Sequence, residues 1–401
     1  MRILFLADVL FPDTTGGAGR VAYHLSRELA KRGHVVDVIT RNPARMLPSR
    51  ENLDANLTIH RFLLPQRESF AVPLSEIKSS VLLARELGLE VDFDVVCVHQ
   101  SLVAIAPLLC TSLRNIPLVY FFHSPWHEEF LIKQEMHGGK ATSGATAVAF
   151  LMKWAERRLV LKASRVFVLS NYMGMKAVGT HGCVEDRVKK IPGGVDLNRF
   201  LLSEVGKEPV KRGLAIPLDK VIFLTVRNLV PRMGIENLLE AFNHSSALRN
   251  TGLLLIGGEG FLKESLLAMV QKYNLENSIK VLGRISESDL TRHYQAADFF
   301  VLPTRALEGF GLVILEAMAC GTPVLGTPMG AIPEVIGPFD RNLLFEGSEW
   351  PHLKSKLEDV VRRPSQYRFT PETCRSYVEK NFSWEKMADA FEREIRMLCR
   401  A

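Results

Sequence analysis

What most restricts this chain is a repeated alternation of short apolar, β-branched runs with longer stretches of helical period. In the first half the runs are 2–7 (RILFLA), 37–40 (DVIT), 94–99 (DVVCVH), 117–122 (PLVYFF) and 165–170 (RVFVLS). Between the first two stands VAYHLSRELAKRGHVV, with apolar residues at helical spacing and Gly33 where a helix would end. Short strands that alternate with helices form a parallel sheet covered on both faces. Near 191–200 the text turns to IPGGVDLNRF, then to the polar stretch 203–213, and the alternation restarts. Its second series is 220–226 (KVIFLTV), 252–258 (GLLLIGG), 278–283 (SIKVLG) and 298–303 (DFFVLP). The prediction is two parallel-sheet α/β domains joined near residue 200, a division that suits 401 residues. Ligands are expected beyond the carboxyl ends of the strands.

Composition narrows the partners. Apolar residues make up 47% and charged residues 23%, enough to build sizeable cores. The net charge of +6 is uneven: residues 1–200 carry 25 basic and 19 acidic side chains, and residues 201–401 carry 25 of each. The excess is densest in 151–200, with 10 basic against 4 acidic. So local a surplus suits an anionic ligand or lipid surface, and no nucleic-acid partner is expected. The six cysteines are dispersed, without metal-ligand spacing, and read as reduced thiols of a cytoplasmic protein. The N-terminal apolar run is broken by Asp8 and leads into glycines, which suits a strand better than a signal peptide. No stretch approaches the length of a transmembrane helix.

Several short motifs carry possible chemistry. Gly16, Gly17 and Gly19 follow the first strand; they read either as a phosphate-approaching turn or as a plain tight turn. In 303–316 a strand ends in a loop carrying Glu308, then Gly309-Phe310-Gly311-Leu312, then a helix containing Glu316. The glycines expose N–H groups at the helix start, an anion site. Glu308 could accept hydrogen bonds from sugar hydroxyls and Glu316 could hold a ribose; the alternative is a helix cap and a solvated helix face. Lys153, Arg157, Arg158, Lys162 and Arg165 are interleaved with Leu151, Trp154 and Leu159. They form either a basic amphipathic face for anionic lipid or the solvated side of a core helix. Asp92-Phe-Asp94 has D-x-D form but reads as a polar lead-in to a strand, and His99 as a site-lining or a satisfied core histidine.

Together these landmarks resemble the retaining glycosyltransferases of family 4 (glycosyl transferases group 1). Glu308 and Glu316, with seven residues between them, match its E-x(7)-E signature, and Gly16-Gly17 its N-terminal glycine loop. His123 in YFFHSPW resembles its N-domain histidine, and Pro192–Phe200 the segment that opens its C-terminal domain. Gly330-Ala-Ile-Pro-Glu334 and Phe382-Ser-Trp384-Glu resemble its late landmarks. The resemblance implies a GT-B fold: two Rossmann-like domains facing across a cleft. Residues 1–200 would then be the acceptor domain, 201–380 the nucleotide-sugar domain, and 381–401 a helix crossing back to the first.

The resemblance also implies a function: transfer of a sugar, a hexose by expectation, from a nucleoside diphosphate donor of the UDP class to an acceptor hydroxyl, with retention. The setting would be polysaccharide, glycolipid or cell-envelope synthesis, in the cytoplasm or peripherally at the inner face of the plasma membrane. Neither a cofactor nor a metal is implied; the nucleotide sugar is a substrate. His123 would contact the sugar or the reaction centre, and Glu308 the sugar hydroxyls. The Gly16-Gly17 loop, Gly309, Phe310, Gly311, Leu312 and Glu316 would bind the donor, and the loop from Pro125 to Ala145 would meet the acceptor.

One segment departs from the family. Its diphosphate-binding Arg and Lys fall on Asn228 and Met233 in Arg227-Asn228-Leu-Val-Pro-Arg232-Met233-Gly234. Arg227 and Arg232 keep the five-residue interval, so Arg232, with Arg227, is expected to supply the positive charge. The alternative is a nucleotide-sugar-binding protein without transferase activity. A third reading, an oxidoreductase using the first glycine turn and Asp37, lacks the full glycine spacing.

Overall fold

The computed structural model describes residues 1–14, 16–43, 47–63, 72–90, 92–110, 112–136, 143–367 and 369–399. They divide into two compact units. The first contains 1–135, the described part of 139–194, and 384–399; the second contains Val195–Ser383 with Met136.

The first unit is built on eight strands: β1 (Arg2–Leu6), β2 (Val35–Asn42), β3 (Arg50–Asp54), β4 (Leu57–Leu63), β5 (Val95–Val98), β6 (Leu118–Phe121), β7 (Arg165–Val168) and β8 (Val188–Lys190). Their order is β3-β4-β2-β1-β5-β6-β7-β8. The β3–β4 hairpin is antiparallel, and every other neighbouring pair is parallel. β5 and β6 are buried along their whole length, as strands covered on both faces must be. One cover is the helix Gly17–Lys31, which turns Val21, Leu25 and Leu29 inward. Another is the last helix, Trp384–Leu398. Its Phe391 packs among Phe5, Phe121 and Phe167, its Trp384 stacks on His24 at 4.6 Å, and its Glu394 accepts from Arg165 at 3.0 Å.

The second unit holds β9 (Val221–Val226), β10 (Gly252–Gly257), β11 (Ile279–Gly283), β12 (Phe299–Leu302) and β13 (Val324–Gly326), all parallel, in the order β11-β10-β9-β12-β13. Both units are α/β. In each sheet the strand order reverses once, between β1 and β5 and between β9 and β12. Connecting loops diverge at such a point and leave a crevice at the carboxyl edge. No helix among the described residues is long and apolar enough to cross a membrane.

Candidate active site

In the second unit the loops after β9 and β12 meet at the reversal point. The first carries Arg227 and Arg232, the second Glu308. Arg227 Nη2 donates to Glu308 Oε2 at 2.6 Å, and the two side chains are only 7% and 11% exposed. Burial alone would push the Glu308 carboxyl up. Arg227 beside it, Arg232 and the Phe310 backbone N–H outweigh that and hold it below the usual carboxylate range. The same Nη2 lies 2.8 Å from Met233 Sδ, while Arg227 Nη1 is buried with no hydrogen-bond partner among the described residues. Arg232 is half-buried and donates to the Leu307 carbonyl at 3.0 Å.

Glycines make this convergence possible. A Cβ on Gly234 would lie 2.1 Å from the Pro303 carbonyl oxygen, and φ there is +69°. Gly330 has φ +60°, its Cβ would sit 2.4 Å from the Glu308 carbonyl oxygen, and the next residue, Ala331, donates its N–H to that oxygen at 3.0 Å. Both are left-handed positions with backbone at contact distance, which glycine alone accepts without strain. Beyond Glu308, Gly311 opens the helix Leu312–Ala319 with no side-chain cap and no acidic residue in the first turn. Uncapped N–H groups at a helix start attract an anion.

In the first unit β1, β5 and β6 end at a common carboxyl edge. Gly16, with φ +146°, precedes the helix Gly17–Lys31, which likewise has no side-chain cap. The loop leading to it is anchored by Asp13, which accepts from buried Arg61 at 2.6 Å. His123 follows β6, and its Nε2 lies 3.1 Å from Nδ1 of His99, which follows β5. Burial lowers His123 to about 4 and His99 well below the usual histidine range, helped there by His123, so both rings are neutral near pH 7. Asp8, just past β1, accepts from the Val103 N–H at 2.9 Å. Burial raises its carboxyl to about 6, against the lowering effect of that bond and of Arg41.

The predicted donor residues fall unequally. Arg227, Arg232 and Glu308 come together. Asn228 is exposed, and Met233, on the family's lysine position, is buried. Gly309 and Leu312 are half-buried at the helix start, and Phe310 is buried edge-on to Phe382. Glu316 is buried within the helix, where its Oε2 accepts from the Tyr294 hydroxyl at 2.9 Å. It is therefore no solvated helix face.

Other sequence readings resolve as well. Asp37 sits inside β2 and faces His60 at 2.9 Å, away from the strand end where a cofactor-binding acid would stand. Asp94 leads into β5 at the opposite edge and accepts from the Arg2 N–H at 2.7 Å. Residues 137–142 of the proposed acceptor loop lie outside the described residues. Sequence reasoning left Asp8 without a role and His99 undecided. The available signal was position: each lies within two residues of the end of a strand that borders the reversal point.

Two family profiles match the chain. Glycosyltransferase Family 4 matches residues 15–199, and Glycosyl transferases group 1 matches residues 206–384. A GDP-mannose-dependent monoacylated alpha-(1-6)-phosphatidylinositol monomannoside mannosyltransferase of Corynebacterium glutamicum is 31% identical over 220 residues, which is 53% of this chain and 56% of that one. This match thus spans little more than half of either protein. A D-inositol 3-phosphate glycosyltransferase of Saccharomonospora viridis is 24% identical over 94% of this chain and 88% of its own. Among solved structures, sucrose-phosphate synthase from Thermosynechococcus elongatus superposes with a TM-score of 0.79 at 23% identity, covering 99% of this chain and 98% of its own.

Proposed function

This chain belongs to the family 4 glycosyltransferases (glycosyl transferases group 1) and is a glycosyltransferase with the GT-B fold; from that premise we propose that it transfers a hexose from a nucleoside diphosphate sugar to an acceptor hydroxyl, with retention. One observation carries the donor assignment: the Arg227 guanidinium is buried with Nη2 fixed by Glu308 and Nη1 without a partner among the described residues. A buried donor without an acceptor is costly, and a phosphate oxygen is the acceptor that guanidinium suits best.

The difficult step is departure of the diphosphate, as negative charge grows on the leaving oxygen. Charges and dipoles already in place when that charge appears lower the barrier most. Arg227, Arg232 and the N-terminus of the helix Leu312–Ala319 supply them, so transfer proceeds without a metal ion and survives a chelator. Glu308 holds Arg227 and turns its remaining acceptor capacity to the sugar hydroxyls. In a front-face course the C1–O bond to phosphate breaks and the acceptor oxygen bonds C1 from the same side. The leaving phosphate oxygen takes the acceptor's proton, and no separate nucleophile is needed. His123 contacts the transferred sugar.

UDP sugars are the donor class that the family resemblance implies, and the GDP-mannose-dependent relative makes GDP sugars the comparison. A thermal-shift panel of both series identifies the donor, because a ligand of the native state raises its melting temperature. Transfer from that donor is then assayed with Glu308→Ala and Arg232→Ala. Full activity in both variants would remove the roles given to these residues.

A lipid-linked acceptor at an anionic membrane is the second element of the reading. The helix Ser143–Lys162 buries Ala149, Leu159 and Val160, yet leaves Phe150, Leu151 and Trp154 at 68%, 62% and 51% exposure beside exposed Arg157, Arg158 and Lys162. A merely solvated basic face has no use for exposed Phe and Trp; a lipid headgroup layer uses both kinds of side chain. Arg165, counted with this face in the sequence, instead starts β7 and binds Glu394. Flotation with anionic and with neutral liposomes tests the reading, and absence from both would refute it.

A further inference from the structure

The two histidines at the carboxyl edge of the first sheet are joined in a way that the reaction scheme does not use. Cys97 is buried in β5, and its Sγ lies 3.6 Å from His99 Nε2. His99 Nδ1 in turn lies 3.1 Å from His123 Nε2. The His99 ring is stacked on Phe5, at 5.3 Å and 20°, and on Phe121, at 4.6 Å and 13°, which holds its plane, while its contacts to Cys97 Sγ and His123 Nε2 distinguish its two nitrogens. Its backbone N–H donates to the Leu6 carbonyl of β1 at 2.9 Å.

We propose that His99 is a positioning residue that fixes His123 in one tautomer, with Nδ1–H left as the hydrogen-bond donor for substrate. The argument follows the hydrogens. A thiol donates weakly and its sulfur accepts weakly, whereas a neutral imidazole nitrogen is a good acceptor. Cys97 therefore donates S–H to His99 Nε2, and the single ring proton of His99 resides on Nδ1. That proton points at His123 Nε2, which must be the unprotonated nitrogen, and the His123 proton is on Nδ1. No hydrogen bond reaches Nδ1 from the described residues. His123 thus presents a fixed, neutral N–H donor, suited to a sugar hydroxyl or to an oxygen gaining charge, and is unsuited to act as a base there.

This inference rests on the reading of His123 as a substrate contact, and the experiment separates the two. Long-range 1H–15N NMR of the full-length, histidine-labelled protein reports which ring nitrogen carries the proton. The expected result is Nδ1–H on both His99 and His123; Nε2–H on His123 would overturn the proposal. In transfer assays His99→Phe keeps the stacked ring and removes the donor. It should lower kcat roughly 10–100-fold, by analogy with the loss of a partner that orients a metal-bound imidazole, with little change in donor KM. His99→Asn, whose amide N–H falls near the Nδ1 position, should restore most of the rate. Equal rates for wild type and His99→Phe would also overturn the proposal. If His123→Ala is fully active, the reading of His123 itself fails, whatever its tautomer.

Discussion

Arg227 and Glu308 form a buried ion pair, Nη2 to Oε2 2.6 Å, that ties the loop after β9 to the loop after β12. Removing one member of such a pair leaves the other buried and uncompensated, a loss of about 3–5 kcal/mol. Arg227→Met should therefore unfold at clearly lower denaturant concentration than wild type. Glu308→Gln, which keeps the shape and discards the charge, should lose less stability but most of the transfer rate. Urea melts and rate assays on the two variants check this.

The same pair sets an acid limit. The folded-state value of Glu308 is depressed below its ordinary 4.5, chiefly by Arg227 acting against the effect of burial. A depressed carboxylate adds stability that is complete above the unfolded value and lost as pH falls through the folded one. Wild type should lose stability on acidification below the ordinary carboxylate range, and Glu308→Gln should lose less over the same interval. Melting temperature against pH for both proteins measures the difference.

Asp8 should behave in the opposite sense. Burial raises its carboxyl to about 6 from an ordinary 3.8. Its contribution is complete below the unfolded value and lost as pH rises through about 6. Asp8→Asn keeps an acceptor for the Val103 N–H and removes the charge. It should melt higher than wild type at pH 8, and the advantage should vanish near pH 4. An unchanged difference across this range would show that Asp8 is not the titrating group.

Phosphate recognition should discriminate between neighbours. Asn228 stands on the family's arginine position but is exposed, whereas Arg232 acts on Glu308 and lies over the Leu307 carbonyl. Asn228→Ala should change donor KM less than about twofold. Arg232→Ala should raise it about tenfold, the equivalent of one charge-assisted hydrogen bond of roughly 1.5 kcal/mol. Steady-state kinetics with the donor decides between them.

Gly330 offers a test remote from charge. Alanine there must adopt a left-handed backbone and push its Cβ against the Glu308 carbonyl oxygen, 2.4 Å away. The conformational cost alone is about 1–3 kcal/mol. Because the collision falls on the residue that holds Arg227, donor affinity should fall together with melting temperature. Calorimetric titration beside a thermal melt tests whether the two move together.

Much of this was legible before the fold was known. Strands such as 220–226 and 298–303 announce themselves because a parallel strand covered on both faces is an unbroken apolar run. The β3–β4 hairpin does not: RENLD is mostly exposed, with no alternation to betray a strand. The region around Glu308 could be read from its loop-to-helix pattern, and the departure at Asn228 and Met233 from the resemblance to the family. Which arginine reaches Glu308 could not, since that depends on backbone turns at Gly234 and Gly330 that bring distant loops into contact. Likewise, His99 became more than a core residue only when β5 and β6 proved adjacent and in register, with Val98 opposite Tyr120.

The most direct test of the central claim is a crystal structure with the nucleoside diphosphate that most raises the melting temperature. The expected result places a phosphate oxygen within hydrogen-bond distance of Arg227 Nη1, with the other phosphate at the N-terminus of the helix Leu312–Ala319 and the Glu308 pair intact. A diphosphate bound elsewhere, with Arg227 Nη1 still unpartnered, would contradict the account.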